Sequence, residues 1–254
     1  MRIAHVTGLA LLLALGVGTS GCGKKGRLVY PDQLLAKPPQ LELLQRGNTL
    51  ELAVLLPSTD MNGKSLTDLT GIAIARRVYQ QKDAVRCSDP YLPLAKVELA
   101  APAAPAEKRG NVLVWTDSDV RQSERYQYRV HTVQKGATPG VPVESRPVTV
   151  LEPPTAPTVQ VRTIFGGYLQ VTPQGGMTPL GSVSGYMIYR SEAGAPAMVV
   201  GQSKLGEPFI DRQAMRGIPY GYQARTLVTI QNGERLESAL GLATVASVED
   251  EPTP

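Results

Sequence analysis

One spacing occurs twice in this chain and constrains what it can build. Trp115-Thr116-Asp117 is followed, nine residues after the aspartate, by Tyr126-Gln127-Tyr128. Phe209-Ile210-Asp211 is followed, again nine residues on, by Tyr220-Gly221-Tyr222. Upstream of each lies a matching strand start, Gly71-Ile72-Ala73-Ile74-Ala75-Arg76 in one and Gly185-Tyr186-Met187-Ile188-Tyr189-Arg190 in the other. A pattern that recurs at fixed offsets marks a duplicated structural unit. The interval from Gly71 to Tyr126 exceeds that from Gly185 to Tyr220 by 20 residues. The first copy therefore carries an inserted loop, expected at about 82–110 around Cys87 and the run Ala100 to Ala106.

The periodicity inside each copy is that of strands. Leu41, Leu43 and then Leu50, Leu52, Val54 alternate on either side of Gly47-Asn48, as in two strands joined by a turn. Tyr126, Tyr128, Val130 and Thr132 share one face of a later strand. Twenty-five Gly and 21 Pro, with few helical patterns, point to turns between short strands. The prolines of Glu152-Pro153-Pro154-Thr155-Ala156-Pro157 mark the boundary, a stiff extended linker over 153–157. The expected order is one unit over 39–152, a second over 158–248, and a disordered tail over 249–254. The strand around Gly71 to Gln80 reads as a sheet edge able to accept a partner strand.

The aromatic, the aspartate and the Tyr-x-Tyr resemble the fibronectin type III pattern. That resemblance implies an all-β chain of two tandem fibronectin type III / immunoglobulin-like β-sandwiches. It makes Tyr126 and Tyr220 tyrosine-corner residues, whose hydroxyls bond to upstream backbone. Trp115 and Phe209 become core anchors. Asp117 and Asp211 end their strands by accepting backbone N–H bonds, and Tyr128 and Tyr222 complete the pattern.

The N-terminus reads differently. Arg2, an apolar run from Val6 to Val17, and small residues up to Cys22 fit a secretory leader over 1–21. That run is shorter than the roughly 20 residues a permanent span needs. Ser20-Gly21-Cys22 resembles the lipobox of bacterial lipoproteins, with Thr19 at the place that family gives to Leu. The resemblance implies acyl lipid on Cys22 and stable anchoring by more than one chain. Gly23, rather than Asp, implies the outer membrane, with the body on the periplasmic face.

The residues after Cys22 form a basic tether over 22–38. Within it, Gly23, Lys24, Lys25, Gly26, Arg27, Leu28, Tyr30 and Pro31 resemble the opening of the small lipoproteins that assist lipopolysaccharide-transport assembly; Arg27 stands where those have Pro. That likeness covers ten residues and implies contact with the lipopolysaccharide translocon. The alternatives are a generic basic tether, and a structural or adhesive surface lipoprotein binding envelope polymers or extracellular partners.

Little in the sequence suggests catalysis. After the leader there is one histidine, His131, on a strand and without partners for a metal set or a nucleophile relay. Gly181-Ser182-Val183-Ser184-Gly185 lacks the central serine of a nucleophile elbow. Asp117-Ser118-Asp119 lacks the oxygens of a calcium loop and reads as a strand-end turn. A net charge of +4 with no dense basic patch argues against nucleic acid. No enzyme activity, cofactor, metal or small-molecule substrate is expected, and Cys87 reads as a structural cysteine.

Overall fold

A computed structural model describes residues 35–79, 90–136, 139–231 and 233–248. Every regular element among them is a strand. The chain divides into a unit over 1–33, outside the described residues, and a compact unit over 34–254.

The first sandwich begins with β1 (Gln40–Arg46) and β2 (Thr49–Leu55), a hairpin closed by Gly47 and Asn48. Gly47 has a φ of 58°, the left-handed conformation such a two-residue loop requires. There follow β3 (Leu69–Tyr79), β4 (Leu92–Glu98), β5 (Ala106–Arg109), β6 (Val112–Asp117), β7 (Arg125–Gln134), β8 (Val143–Glu144) and β9 (Val148–Thr149). One sheet has the order β1-β2-β6-β5; the other is β4-β3-β7, with β8 and β9 both pairing β7. Alternation places Leu50, Leu52 and Val54 wholly inside, facing Ile72, Ile74, Tyr128 and Val130 of the opposite sheet. Burying one such side chain is worth about 1.5–3 kcal/mol, so this inner layer dominates the stability of the unit.

The second sandwich repeats the order. It comprises β10 (Thr158–Ile164), β11 (Tyr168–Gln174), β12 (Ser182–Glu192), β13 (Met198–Lys204), β14 (Phe209–Asp211), β15 (Tyr220–Thr229), β16 (Arg235–Glu237) and β17 (Thr244–Ala246). Sheet β10-β11-β14 faces sheet β13-β12-β15, with β16 and β17 pairing β15. Leu169, Val171, Ile188, Tyr222 and Ala224 fill the space between them. Two sandwiches with the same strand order, one after the other, are tandem fibronectin type III-like domains, and the described residues are all-β.

The duplicated glycines have a shared reason. Gly71 and Gly185 each sit at a register shift against the following long strand. A Cβ on Gly71 would lie 2.6 Å from the Val97 carbonyl oxygen, and on Gly185 2.3 Å from that of Ser203. The neighbouring strand can approach only because no side chain is there.

Two expectations need correcting. The region 82–110 is not all loop: β4 forms the sheet edge and β5 adds a strand beside β6. Pro93 is tolerated because β4 is an edge with a register shift between Ile74 and Ala75 opposite it. By the same arrangement, β3 lies between β4 and β7, so Gly71 to Tyr79 is interior and offers no free edge. The proline-rich linker, for its part, lies along the second sandwich. Thr155 N–H donates to the Met177 carbonyl and its carbonyl accepts from Thr226 Oγ1, both at 2.9 Å.

Candidate functional site

Each duplicated motif closes into the same buried unit. In the first sandwich, Asp117 at the end of β6 accepts from Tyr128 Oη at 2.7 Å and Arg76 Nη1 at 2.8 Å on one oxygen. Its other oxygen accepts the Asp119 N–H at 3.0 Å. In the second, Asp211 at the end of β14 accepts from Tyr222 Oη at 2.7 Å, Arg190 Nη1 at 2.8 Å and the Gln213 N–H at 2.9 Å. The arginines also lie over the first tyrosine of each pair, 5.5 Å from the Tyr126 ring centroid and 4.7 Å from that of Tyr220. The hydroxyls of Tyr126 and Tyr220 accept backbone N–H groups five residues upstream, from Arg121 at 2.9 Å and Met215 at 3.3 Å.

These contacts set the electrostatics. Burial acts to raise the Asp211 carboxyl, but the bonds from Tyr222, the Gln213 N–H and Arg190 outweigh it and hold the group below the usual aspartate range. Burial, and then the bond to the neighbouring carboxylate, push the Tyr128 and Tyr222 hydroxyls upward. Tyr126 rises to about 12, mainly through burial. Nothing here is primed to react; the units hold strand ends in place.

The two sandwiches meet at a charged lock. β1 and β16 run parallel and pair at Arg46 and Glu237, which makes one continuous nine-stranded sheet across both domains. The Gly47 N–H donates to the Glu237 carbonyl at 2.9 Å. The Glu237 side chain is 3% exposed, bonded to Arg46 Nε at 2.9 Å and to Arg235 Nη2 at 3.1 Å. Arg46 also pairs with Glu51. Nearby, Gln45 donates to the Leu151 carbonyl at 2.8 Å and accepts the Leu151 N–H at 2.9 Å. The end of the first domain is thus fastened to its own first strand where the second domain docks.

Beside the lock, the domains diverge and leave a groove of about 630 Å³. Val148, Thr149 and Leu151 of the first domain line one wall, Pro179, Leu180 and Ile230 of the second the other. A contiguous recess of about 440 Å³ continues along β1 from Leu41 to Gln45. A two-residue hairpin alternates bonded and open pairs outward from its turn. The backbone groups of Leu41 and Leu43 therefore point away from β2, toward this recess. Arg125, Arg146 and Glu234 add charge to these walls, and a mixed lining beside an open strand edge suits an extended peptide segment.

No protein-family model matches the chain, and no curated protein matches it. Among solved structures it is similar to the crystal structure of chicken CNTN1 FN1-FN3 domains. That match is 14% identical with a TM-score of 0.36, and covers 85% of this chain and 69% of that one. The fold class stands on the strand order of the two sandwiches.

The structure places Trp115 in the first core, 6% exposed and edge-on to Tyr128 with ring centroids 6.2 Å apart. Phe209 is half-buried against the second core and lies across Gly201 of β13. The lipid-bearing candidate Cys22, the tether residues Gly23, Lys24, Lys25, Gly26, Arg27, Leu28, Tyr30 and Pro31, the residue Cys87 and the tail 249–254 lie outside the described residues. His131 sits on β7, its imidazole pushed down by burial. Among the described residues, no three His, Cys, Asp or Glu side chains gather as a metal site. Sequence reasoning missed Arg76 and Arg190, although both stand at the sixth place of the matched strand starts. It also missed Glu237 and the groove, for which the sequence carries no local signal.

Proposed function

We propose that this chain is an outer-membrane lipoprotein whose two sandwiches form a non-catalytic protein-binding module on the periplasmic face. In this reading acyl chains on Cys22 anchor it, and the segment Gly23 to Pro31 meets the lipopolysaccharide-transport assembly machinery. The observation that carries the reading is the leader closing on Ser20-Gly21-Cys22. The groove between the sandwiches supplies what such a module needs, a concave surface of mixed apolar and charged lining beside the shared sheet. Fibronectin-like sandwiches typically serve as binding scaffolds rather than catalysts.

The test is affinity purification of the intact protein from envelopes, with two variants beside it. Scrambling Gly23 to Pro31 with Cys22 kept should lose the translocon. Leu180→Glu with Ile230→Glu should lose a groove-bound partner while thermal unfolding stays intact. Translocon capture that survives the scramble would remove the transport reading. Loss of no protein at all from the groove variant would remove the binding-module reading. Envelope polymer or extracellular ligand captured in place of protein would favour the structural or adhesive alternative.

A further inference from the structure

The outer face of the β3–β7 sheet carries a ladder of guanidinium groups and phenol rings that the core does not require. Arg77 and Tyr79 of β3 point to the same face, as do Arg125 and Arg129 of β7, with Tyr79 directly opposite Arg125. Tyr91, just before β4, lies under two arginines. Arg77 stands 4.1 Å from its ring centroid and Arg129 3.9 Å. Tyr79 lies between Arg77 and Arg125, each 5.7 Å from its centroid. The order along the face is thus Arg129, Tyr91, Arg77, Tyr79, Arg125.

Charge along the ladder is unevenly matched. Arg129 is bound by Glu144, with Nη2 at 2.6 Å and Nε at 3.0 Å from the same oxygen. Arg77 and Arg125 have no carboxylate at ion-pair distance among the described residues, and Arg77 Nε is buried without a hydrogen-bond partner. This contrasts with Arg46, Arg76 and Arg190, each of which is spent on a buried acid. Arg77 spends Nη1 on the Tyr79 hydroxyl at 3.2 Å, which fixes the guanidinium against the ring. Stacking occupies the face of a guanidinium and leaves its remaining N–H groups, Nη2 on Arg77 and the fork of Arg125, to meet an oxyanion. Rings that hold the side chain still also reduce the entropy lost on binding. Because the ring faces are already covered by guanidinium, the ladder has no platform left for stacking a sugar or a base.

We propose that this face is an oxyanion-binding site, taking phosphate or carboxylate groups between Arg77 and Arg125. It is independent of the transport reading and of the lipid on Cys22. Arg125 also lines the interdomain groove, so the site opens onto one end of it.

The experiment is surface plasmon resonance on the immobilised full-length protein, with inorganic pyrophosphate as the free probe. Nanodiscs of phosphatidylglycerol, against phosphatidylcholine, serve as the lipid probe. Pyrophosphate should bind, and binding should weaken with added salt as exposed charge pairs do. Arg77→Gln with Arg125→Gln should weaken it about tenfold or more, since charge-assisted hydrogen bonds are the strong ones. Arg162→Gln, a distant exposed cation, should leave it unchanged. Glu144→Gln should tighten it by releasing Arg129, a gain that a merely structural ladder would not produce. Additional capture of phosphatidylglycerol discs by wild type alone would assign the oxyanion to a headgroup; its absence would assign it to a soluble ligand. Binding equal in wild type and the double variant, or none in wild type, overturns the proposal.

Discussion

Replacing Glu237 by Gln should loosen the joint between the sandwiches, and the size of the effect follows from its surroundings. Breaking a fully buried ion pair by removing one partner costs about 3–5 kcal/mol. Here the carboxylate is 3% exposed, but its partners Arg46 and Arg235 keep 21% and 42% of their side-chain exposure. Solvent screening of the arginines brings the expected loss to about 1–3 kcal/mol. Arg46 retains Glu51 after the change, which limits the penalty further. The clean measurement is a double-mutant cycle in urea with Arg46→Met, Glu237→Gln and the pair. The two residues are 191 apart in sequence and belong to different sandwiches. A coupling of about 1 kcal/mol or more therefore reports contact between the domains. Wild type should unfold in one transition, and in Glu237→Gln that transition should broaden or split as the pairing of β1 with β16 weakens. A coupling within about 0.3 kcal/mol of zero would refute the lock.

The remaining expectations concern the repeated units and one titration. Tyr128→Phe and Tyr222→Phe should each cost about 1.5–3 kcal/mol, the worth of a hydrogen bond to a charged group, read as a lower urea midpoint. Tyr222→Phe should also move acid unfolding to higher pH. Asp211 is held below the usual range, so its stabilisation is present above the ordinary aspartate value and lost as pH falls through the folded one. Gly185→Ala should destabilise by about 1–3 kcal/mol, because its Cβ would meet backbone rather than a side chain that can move. His131 is depressed by burial, so the unfolded chain takes up its proton first. Stability should fall as pH drops below the ordinary imidazole value of about 6.5, and His131→Gln should flatten that slope in urea titrations.

The fold was legible where local pattern and tertiary role coincide. Alternation at Leu50, Leu52 and Val54 marks a strand with one buried face, and the nine-residue step from Asp to Tyr-x-Tyr marks a duplication. Arg76 and Arg190 were not legible as core-directed because an arginine on a strand ordinarily faces water. Only the facing Asp and Tyr reverse that preference, and they come from strands far along the chain. β5 was missed because Pro105 precedes it, and β16 because three residues carry no usable period. Glu237 reads as an exposed acid until β1 is laid beside it. The groove has no sequence signature at all, since it is the space left where two separately encoded domains meet.

Anchoring at the outer membrane requires an acylated Cys22. Metabolic labelling with a clickable fatty acid, wild type beside Cys22→Ser, addresses that directly. Label on the wild-type protein, its recovery with membranes, and the loss of both in Cys22→Ser are the results expected. An unlabelled wild-type protein that fractionates away from membranes would contradict it.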